Sequence, residues 1–599
     1  MPFKLTIPPP GSTIRYPHFH GSGDALALAE LAQQARPVTI IAASALAAQR
    51  LLEEIPFFAP RLKIHLLPDW ETLPYDTFSP HPDLISERLA TLYQLMSGAC
   101  ELLIVPVATA LYRLPPREYL AAHTFFLKRG ETLDLHALRS QMTLAGYSHV
   151  TQVLSPGEYS LRGGLVDLFP MGSPLPYRID LLDNEIETIR TFDVDTQRSV
   201  YPVNEVRLLP AREFPFDEEG RARFRGNFRE KFEGDPSRSR IYKDISKGVA
   251  PAGIEYYLPL FFEHTATLFD YLPQTMPLCL HHDIYPAVEN FWRDTPSRYR
   301  LLRGDTDRPL LQPGELFVTT EAFFGALKPY ARIEIPSGME SSKRVLRNLT
   351  SSPPPLQIDR RADNPAEKLS AFIAGFAAEF KSPGGRTLLL AESLGRRELI
   401  ADHLKQYGLY PDISDDYAQF VAGARPFMLG VAPLHNGFIV SGEGIAFITE
   451  SELYATHLHG RRERDSRKAT AVGDAMLRDL SEIKAGDPVV HEQHGIGRYL
   501  GLISMDPGEG ATEFLSLEYD GGDKLYVPVS QLHLIGRYSG AAPEAAPLHK
   551  LGSGQWDKAK RKAMRQVRDT AAELLNLYAQ RAARLCHGLS FNQHDYDAV

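Results

Sequence analysis

The sequence predicts an α/β multidomain chain that ends in a small, strongly bent β module and a helix. Three observations predict it. Helix and buried-strand patterns alternate through the first hundred residues. Polar and apolar residues alternate from about Gly157 to Phe192. Period-two alternation broken by Gly-Asp turns fills Gly486 to Tyr538. Alternating helix and strand implies a parallel sheet with helices on its faces, whereas period-two runs imply antiparallel strands with one face buried.

The elements follow in order. Asp24–Gln34 has a helical pattern, Val38–Ala42 reads as a buried strand, and Ala45–Glu54 is helical again. Glu101–Pro106 is a second strand of the same kind. Just before the first helix stands Gly21-Ser22-Gly23-Asp24. A working phosphate loop needs backbone amides, a Lys for the phosphates and a hydroxyl for Mg²⁺. Asp24 and Ala25 stand where Lys and Ser/Thr should be, so this loop is degenerate and is not expected to bind nucleotide. Asp69-Trp70-Glu71-Thr72-Leu73-Pro74-Tyr75-Asp76 reads as a rigid surface turn with Trp70 and Tyr75 packed on the sheet.

From about Glu118 to Pro210 the texture changes. Gly157–Pro170 reads as a turn and a strand, Tyr177–Leu182 as another strand, Asp183-Asn184 as a hairpin turn and Glu185–Ile189 as the return. Such alternation fits a half-exposed antiparallel sheet. Residues 211–350 follow with charged helices and the strand Leu278-Cys279-Leu280; His281-His282-Asp283 reads as the loop after it, with no second metal-ligating cluster nearby in sequence. Ser351-Ser352-Pro353-Pro354-Pro355 is a linker by composition. Residues 356–452 form a second α/β unit with buried strands Thr387–Leu390 and Ile445–Thr449. Its Gly384-Gly385 precedes the strand rather than following it, so it is no phosphate loop. Residues 453–484 are a charged linker that includes Arg461–Lys468.

In the β module, Leu515, Leu517 and Tyr519 share one face, and Phe514, Ser516 and Glu518 the other. Asp520-Gly521-Gly522-Asp523 turns the chain, and Leu525, Val527 and Val529 resume the alternation. Pro528 lacks a ladder donor, which marks an edge strand. His491 and His494 are three residues apart in a strand–loop context, not four apart on a helix, so metal ligation is rejected. Beyond a Pro/Gly/Ala-rich connector, Trp556–Arg584 is a long helix with Lys560, Arg561 and Arg565 in its basic first half. These are candidate DNA-phosphate contacts, or else a solvated face.

Composition narrows the class. The 599 residues leave room for about four domains. With 43% hydrophobic and 23% charged residues, the chain has the balance of an ordinary globular protein. A net charge of −9 gives no global pull on nucleic acid or anionic membrane. Three scattered cysteines suit neither a disulfide framework nor a zinc site and fit a reducing cytoplasm. The start lacks the apolar core of a signal peptide, and no apolar run approaches the roughly twenty residues of a membrane span.

The residues GDPVVHEQHGIGRY and KLYVPVSQLHLIGRY resemble the RNA-polymerase-interacting, CarD-like module of the bacterial transcription-repair coupling factor family. The resemblance extends over the whole chain. It implies a UvrB-like domain with a degenerate nucleotide site in residues 1–118 and 211–350, interrupted by an inserted UvrA-docking α+β domain at 119–210. It further implies the family's third domain at 356–452, a Tudor/CarD-like β-barrel at 485–545, and the start of an ATPase motor at 546–599. In the family the module grips the β subunit of stalled RNA polymerase through an apolar contact in the loop after its second strand. That contact falls on Met505, with Ile503 beside it. Two arginines and an aromatic dock UvrA; they fall on Arg162, Arg178 and Leu182, where Leu departs from Phe. The alternative for the arginines is local pairing with Asp167 or Asp180.

The family's full-length protein uses ATP and Mg, translocates on double-stranded DNA and displaces polymerase. This chain holds no Walker A Lys or DExx-type box, so the resemblance implies no catalytic residue, no cofactor of its own and no ATP hydrolysis by it alone. Competing readings are a UvrB-like nucleotide hydrolase and a stand-alone CarD-like polymerase regulator.

Overall fold

The computed structural model describes residues 3, 5–338, 348–358, 364–380, 384–454, 485–491, 494–505, 512–528, 535–537, 546–551 and 556. They fall in two compact units, Met1–Gly460 and Arg461–Val599. The architecture is mixed α/β and multidomain.

The first unit opens with strand β1 (Thr13–Arg15), helix α1 (Gly23–Gln34), strand β2 (Val38–Ala42), helix α2 (Ala45–Phe58), strand β3 (Ile64–Leu66), helix α3 (Pro82–Met96) and strand β4 (Leu102–Pro106). Every residue of β2 and β4 is buried, as expected of parallel strands covered on both faces. The N-terminal pattern therefore reads correctly, except that α2 runs on through Pro56 to Phe58.

The chain then leaves this sheet and builds β5 (Phe125–Lys128), β6 (Ser148–His149), β7 (Glu158–Arg162), β8 (Leu165–Phe169), β9 (Tyr177–Leu182), β10 (Glu185–Phe192), β11 (Ser199–Val203) and β12 (Glu205–Leu208). The order β11-β10-β9-β8-β7-β6 is antiparallel except at β6–β7, while β12 pairs with β5. The helix Leu135–Leu144 accompanies them. Asp183 and Asn184 both have positive φ, the geometry of a tight two-residue hairpin.

The chain returns through β13 (Leu278–His281) and β14 (Arg332–Ile335). β13 pairs in parallel with β2 and β14, completing the order β1-β14-β13-β2-β4-β3. The return is fixed by a buried ion pair. Arg88 of α3 donates to Glu213 at 2.8 Å, and the Trp70 indole N–H donates to the other Glu213 oxygen at 2.8 Å. Trp70 and Tyr75 are both buried, as the reading of a turn packed on the sheet expects, while Glu71 and Leu73 of the same segment stay exposed. Glu71 and Tyr75 take left-handed backbone there.

A third sheet follows: β15 (Thr350–Ser351), β16 (Arg386–Ala391), β17 (Asp412–Ile413), β18 (Phe427–Val431), β19 (Phe438–Val440) and β20 (Ile445–Thr449), in the order β15-β19-β20-β16-β18-β17. Thr350 and Ser351, read as a domain end and the start of a linker, instead pair with Val440 and Ile439. One continuous core joins this sheet to the first. Phe58 of α2 lies edge-on to Tyr417, Phe438 and Phe447, with ring centroids 5.2, 6.4 and 5.8 Å away.

The second unit is an antiparallel sheet of β21 (Pro488–His491), β22 (Gly495–Met505), β23 (Thr512–Glu518), β24 (Lys524–Pro528) and β25 (Ile535–Arg537), in the order β24-β23-β22-β21-β25. Leu515, Leu517, Tyr519 and Val527 are buried, and the Pro528 strand is an edge, as the alternation predicts. The basic residues Lys560, Arg561 and Arg565, the helix Trp556–Arg584 beyond its first residue, and the linker 455–484 lie outside the described residues. Among the described residues no helix is long and apolar enough to cross a membrane.

Candidate protein-docking sites

Arg162 ends β7, Arg178 lies in β9, and both face Asp167 of the intervening β8. Arg178 forms a bidentate pair with Asp167, at 2.7 and 2.9 Å, and also donates to the Gln197 carbonyl at 3.0 Å. Its guanidinium sits 4.8 Å from the Phe192 ring centroid. The hydrogen bonds to Asp167 raise the Arg178 pKa, against the opposing effect of burial. Arg162 makes a single 3.3 Å contact with the same carboxylate and stays half exposed. Local pairing is thus with Asp167; Asp180 instead accepts from the Thr188 hydroxyl at 2.7 Å. The ring under the Arg178 guanidinium is that of Phe192, which is wholly buried. Sequence reasoning missed it because Phe192 lies farther along the chain and meets Arg178 only across the sheet.

Leu182 lies at the end of β9, beside the turn at Asp183-Asn184, and is 61% exposed. Leu182 therefore leaves an apolar side chain in solvent at the hairpin tip. Val200 and Tyr201, on the edge strand β11, are also exposed.

In the second unit a register shift between Tyr499 and Gly501 divides β22, and Gly501 takes φ +134°. Beyond it, Leu502 and Ile503 are both exposed although neighbours along a strand point to opposite faces. Both faces of β22 thus carry an apolar side chain at the surface here. Met505, assigned to the loop after the second strand, is the last residue of β22, paired with Thr512. The strand is longer than the turn-rich sequence after it suggested. Leu502 and Tyr526 are exposed apolar residues that the sequence reading overlooked. The signal was Gly501, whose bulge re-aims the residues that follow.

The degenerate loop Gly21-Ser22-Gly23-Asp24 leads into α1, and its polar groups are consumed internally. Arg50 of α2 donates to both Asp24 oxygens, and the His281 imidazole Nε2 lies 2.8 Å from Asp24 Oδ2. Burial alone would push the Asp24 carboxyl up. Arg50 and the two imidazoles outweigh burial and hold it well below the usual carboxylate range. Burial pushes His281 down to about 4, so it is a neutral ring donating Nε2–H to the carboxylate. His282 Nε2 is 3.7 Å from the same oxygen, with its ring stacked on His281 at 3.7 Å.

This corrects the reading of His281-His282-Asp283 as a plain loop. His281 is the buried end of β13, and the fold brings Asp24 to it from 257 positions away. Asp24, His281 and His282 have the spacing of a metal triad. Arg50 already supplies the compensating positive charge to both carboxylate oxygens.

The chain matches three family models: the UvrB interaction domain over residues 125–214, the MFD D3 domain over 376–453, and the CarD-like/TRCF RID domain over 483–539. It is 42% identical over 578 residues to the transcription-repair-coupling factor of Escherichia coli, covering 96% of this chain and 49% of that protein. It is 40% identical over 582 residues to the Haemophilus influenzae factor, with the same coverages, and 27% identical over 566 residues to that of Bacillus subtilis, covering 92% and 47%. The chain spans about half the length of the curated relatives it matches.

Proposed function

We propose that this chain is the docking half of a transcription-repair-coupling factor, serving transcription-coupled nucleotide excision repair in the cytoplasm. Residues 485–545 grip the β subunit of stalled RNA polymerase, and residues 119–210 recruit UvrA. The complete protein is an ATP- and Mg-dependent translocase on double-stranded DNA that displaces polymerase. One observation carries the reading. A UvrB interaction domain and a CarD-like/TRCF RID domain are matched in the same chain, a pairing that a stand-alone polymerase regulator would not need.

The finer assignments follow. Met505 and Ile503 anchor polymerase on the end of the β22–β23 pair beyond Gly501, and Leu502 extends that apolar surface. The five-stranded sheet corresponds to a Tudor/CarD-like barrel, left open between β24 and β25 among the described residues, and residues 546–599 belong to the start of the motor. Arg162 and Leu182 meet UvrA directly, because both are exposed. Arg178 acts mainly by holding Asp167 and β9 in place, because its guanidinium is already bonded on several sides. Gly21, Ser22, Gly23 and Asp24 take no nucleotide.

The test is a pair of titrations of the purified chain, one with the isolated polymerase β subunit and one with UvrA. Saturable binding to both is expected. Binding to neither would overturn the proposal.

A further inference from the structure

We infer that the crevice at the carboxyl ends of β2 and β13 has become the seat of the third sheet's β18–β19 loop, Ala432–Gly437, and that it now serves to hold this sheet against the first. In an open α/β sheet such a crevice, where the strand order reverses, is where a ligand ordinarily binds. Here β2 lies next to β13, His281 is level with Ala42, and the amino end of α1 borders the cleft. The inference does not rest on the docking reading.

Three observations support it. The first is that the amides of a phosphate loop are spent on protein. Ser22 N–H donates to the Asn436 carbonyl at 3.0 Å, Gly23 N–H to the His20 carbonyl at 3.0 Å, and Ala25 N–H to Asp24 Oδ1 at 2.8 Å. A carboxylate of the chain itself thus occupies the place of an anion at the helix terminus.

The second is a buried carboxylate shared by both sides. Glu54 of α2 accepts from Ser22 Oγ at 2.8 Å and from Arg50 at 2.6 Å. From the β18–β19 loop it accepts the His435 backbone N–H at 3.0 Å and the His435 Nδ1 proton at 3.2 Å. Glu54 is wholly buried, so each of these bonds satisfies an oxygen that water cannot reach.

The third is steric. Gly21 has φ +52°, and a Cβ there would collide with the Gly437 carbonyl oxygen. A Cβ on Gly23 would lie 2.9 Å from Thr350 Cγ2, on the edge strand β15 of the same third sheet. The glycines that would let a phosphate approach now let a second sheet approach.

The experiment is hydrogen–deuterium exchange on the full chain, wild type against His435→Ala, Glu54→Gln and Gly21→Ala. Leu46→Ala, at an exposed site on α2, is the control. The inference predicts at least tenfold faster exchange at Ser22 and across 434–440 in all three variants and no change in the control. It also predicts that millimolar MgATP leaves the wild-type pattern unaltered. His435→Ala removes only a partly exposed side chain, so it keeps the test valid if either other variant fails to fold. Unchanged exchange in His435→Ala and Glu54→Gln would overturn the inference. So would protection of Ser22–Leu26 by MgATP in the wild type.

Discussion

The α1 crevice and the β9–β10 hairpin tip are both places where a sequence reader looks for function, and they are built in opposite ways. In the crevice every charge has an internal answer: Arg50 for Asp24 and Glu54, His281 for Asp24, His435 for Glu54. At the tip, Leu182 points outward, and Arg162 keeps half its surface for solvent beyond its one contact with Asp167. Buried charges are costly unless paired, so a site that closes on itself stabilises the fold and has nothing left for a ligand. A tip that docks a partner, as proposed for Leu182, would keep its apolar contact uncommitted until that partner arrives.

The largest expected effect lies in the crevice. Asp24→Ala removes the main partner of a mostly buried guanidinium. Breaking a buried pair in this way costs on the order of 3 kcal/mol. Urea unfolding should show this as a lower midpoint at unchanged slope; a midpoint equal to wild type would mean that Asp24 is no structural counter-ion. At the proposed polymerase-binding module the effect should be on binding instead. Met505→Arg puts a charge into an apolar contact and should weaken β-subunit binding about tenfold or more. Circular dichroism should be unchanged, and equal affinity would show that the contact lies elsewhere, with Leu502 the next residue to change.

The smallest effect is a pH dependence. The hydrogen bond to Glu54 raises the His435 pKa, with burial opposing it. A raised folded-state pKa gives stability that is full below the unfolded value of about 6.5 and fades as pH rises through the folded value. The melting-temperature gap between wild type and His435→Ala should therefore shrink from pH 6 to pH 8.5. A gap that widens would reverse the assignment.

Much of this was legible in the sequence, for reasons that differ by region. Val38–Ala42 and Tyr177–Leu182 were readable to the residue because burial or alternation marks each position. Asp183-Asn184 and Gly521-Gly522 were readable as turns because positive φ restricts residue choice. The missing Lys in the loop before α1 was readable too. The network that closes on Asp24 was not: Asp24, Arg50, His281 and His435 are scattered over some four hundred positions and meet only through sheet order and the approach of the third sheet. Phe192 under Arg178 escaped for the same reason. The contact also changes what a variant at Arg178 means. Arg178→Ala would uncover the buried Asp167 carboxylate, so lost UvrA binding would mix unfolding with lost contact. Leu182, exposed at the tip, is the cleaner probe.

The contrast between crevice and tip is tested most directly by crossing two variants with two readouts, melting temperature and UvrA affinity, for Glu54→Gln and Leu182→Glu. Surface changes away from special features usually move stability by no more than about 0.5 kcal/mol. Leu182→Glu should therefore keep the wild-type melting temperature and lose about tenfold or more in UvrA affinity, while Glu54→Gln should melt measurably lower, by about 1–2 °C per kcal/mol lost in a unit of this size, and bind UvrA as wild type does. A Leu182→Glu chain that binds UvrA normally, or a Glu54→Gln chain that melts normally, would contradict the account.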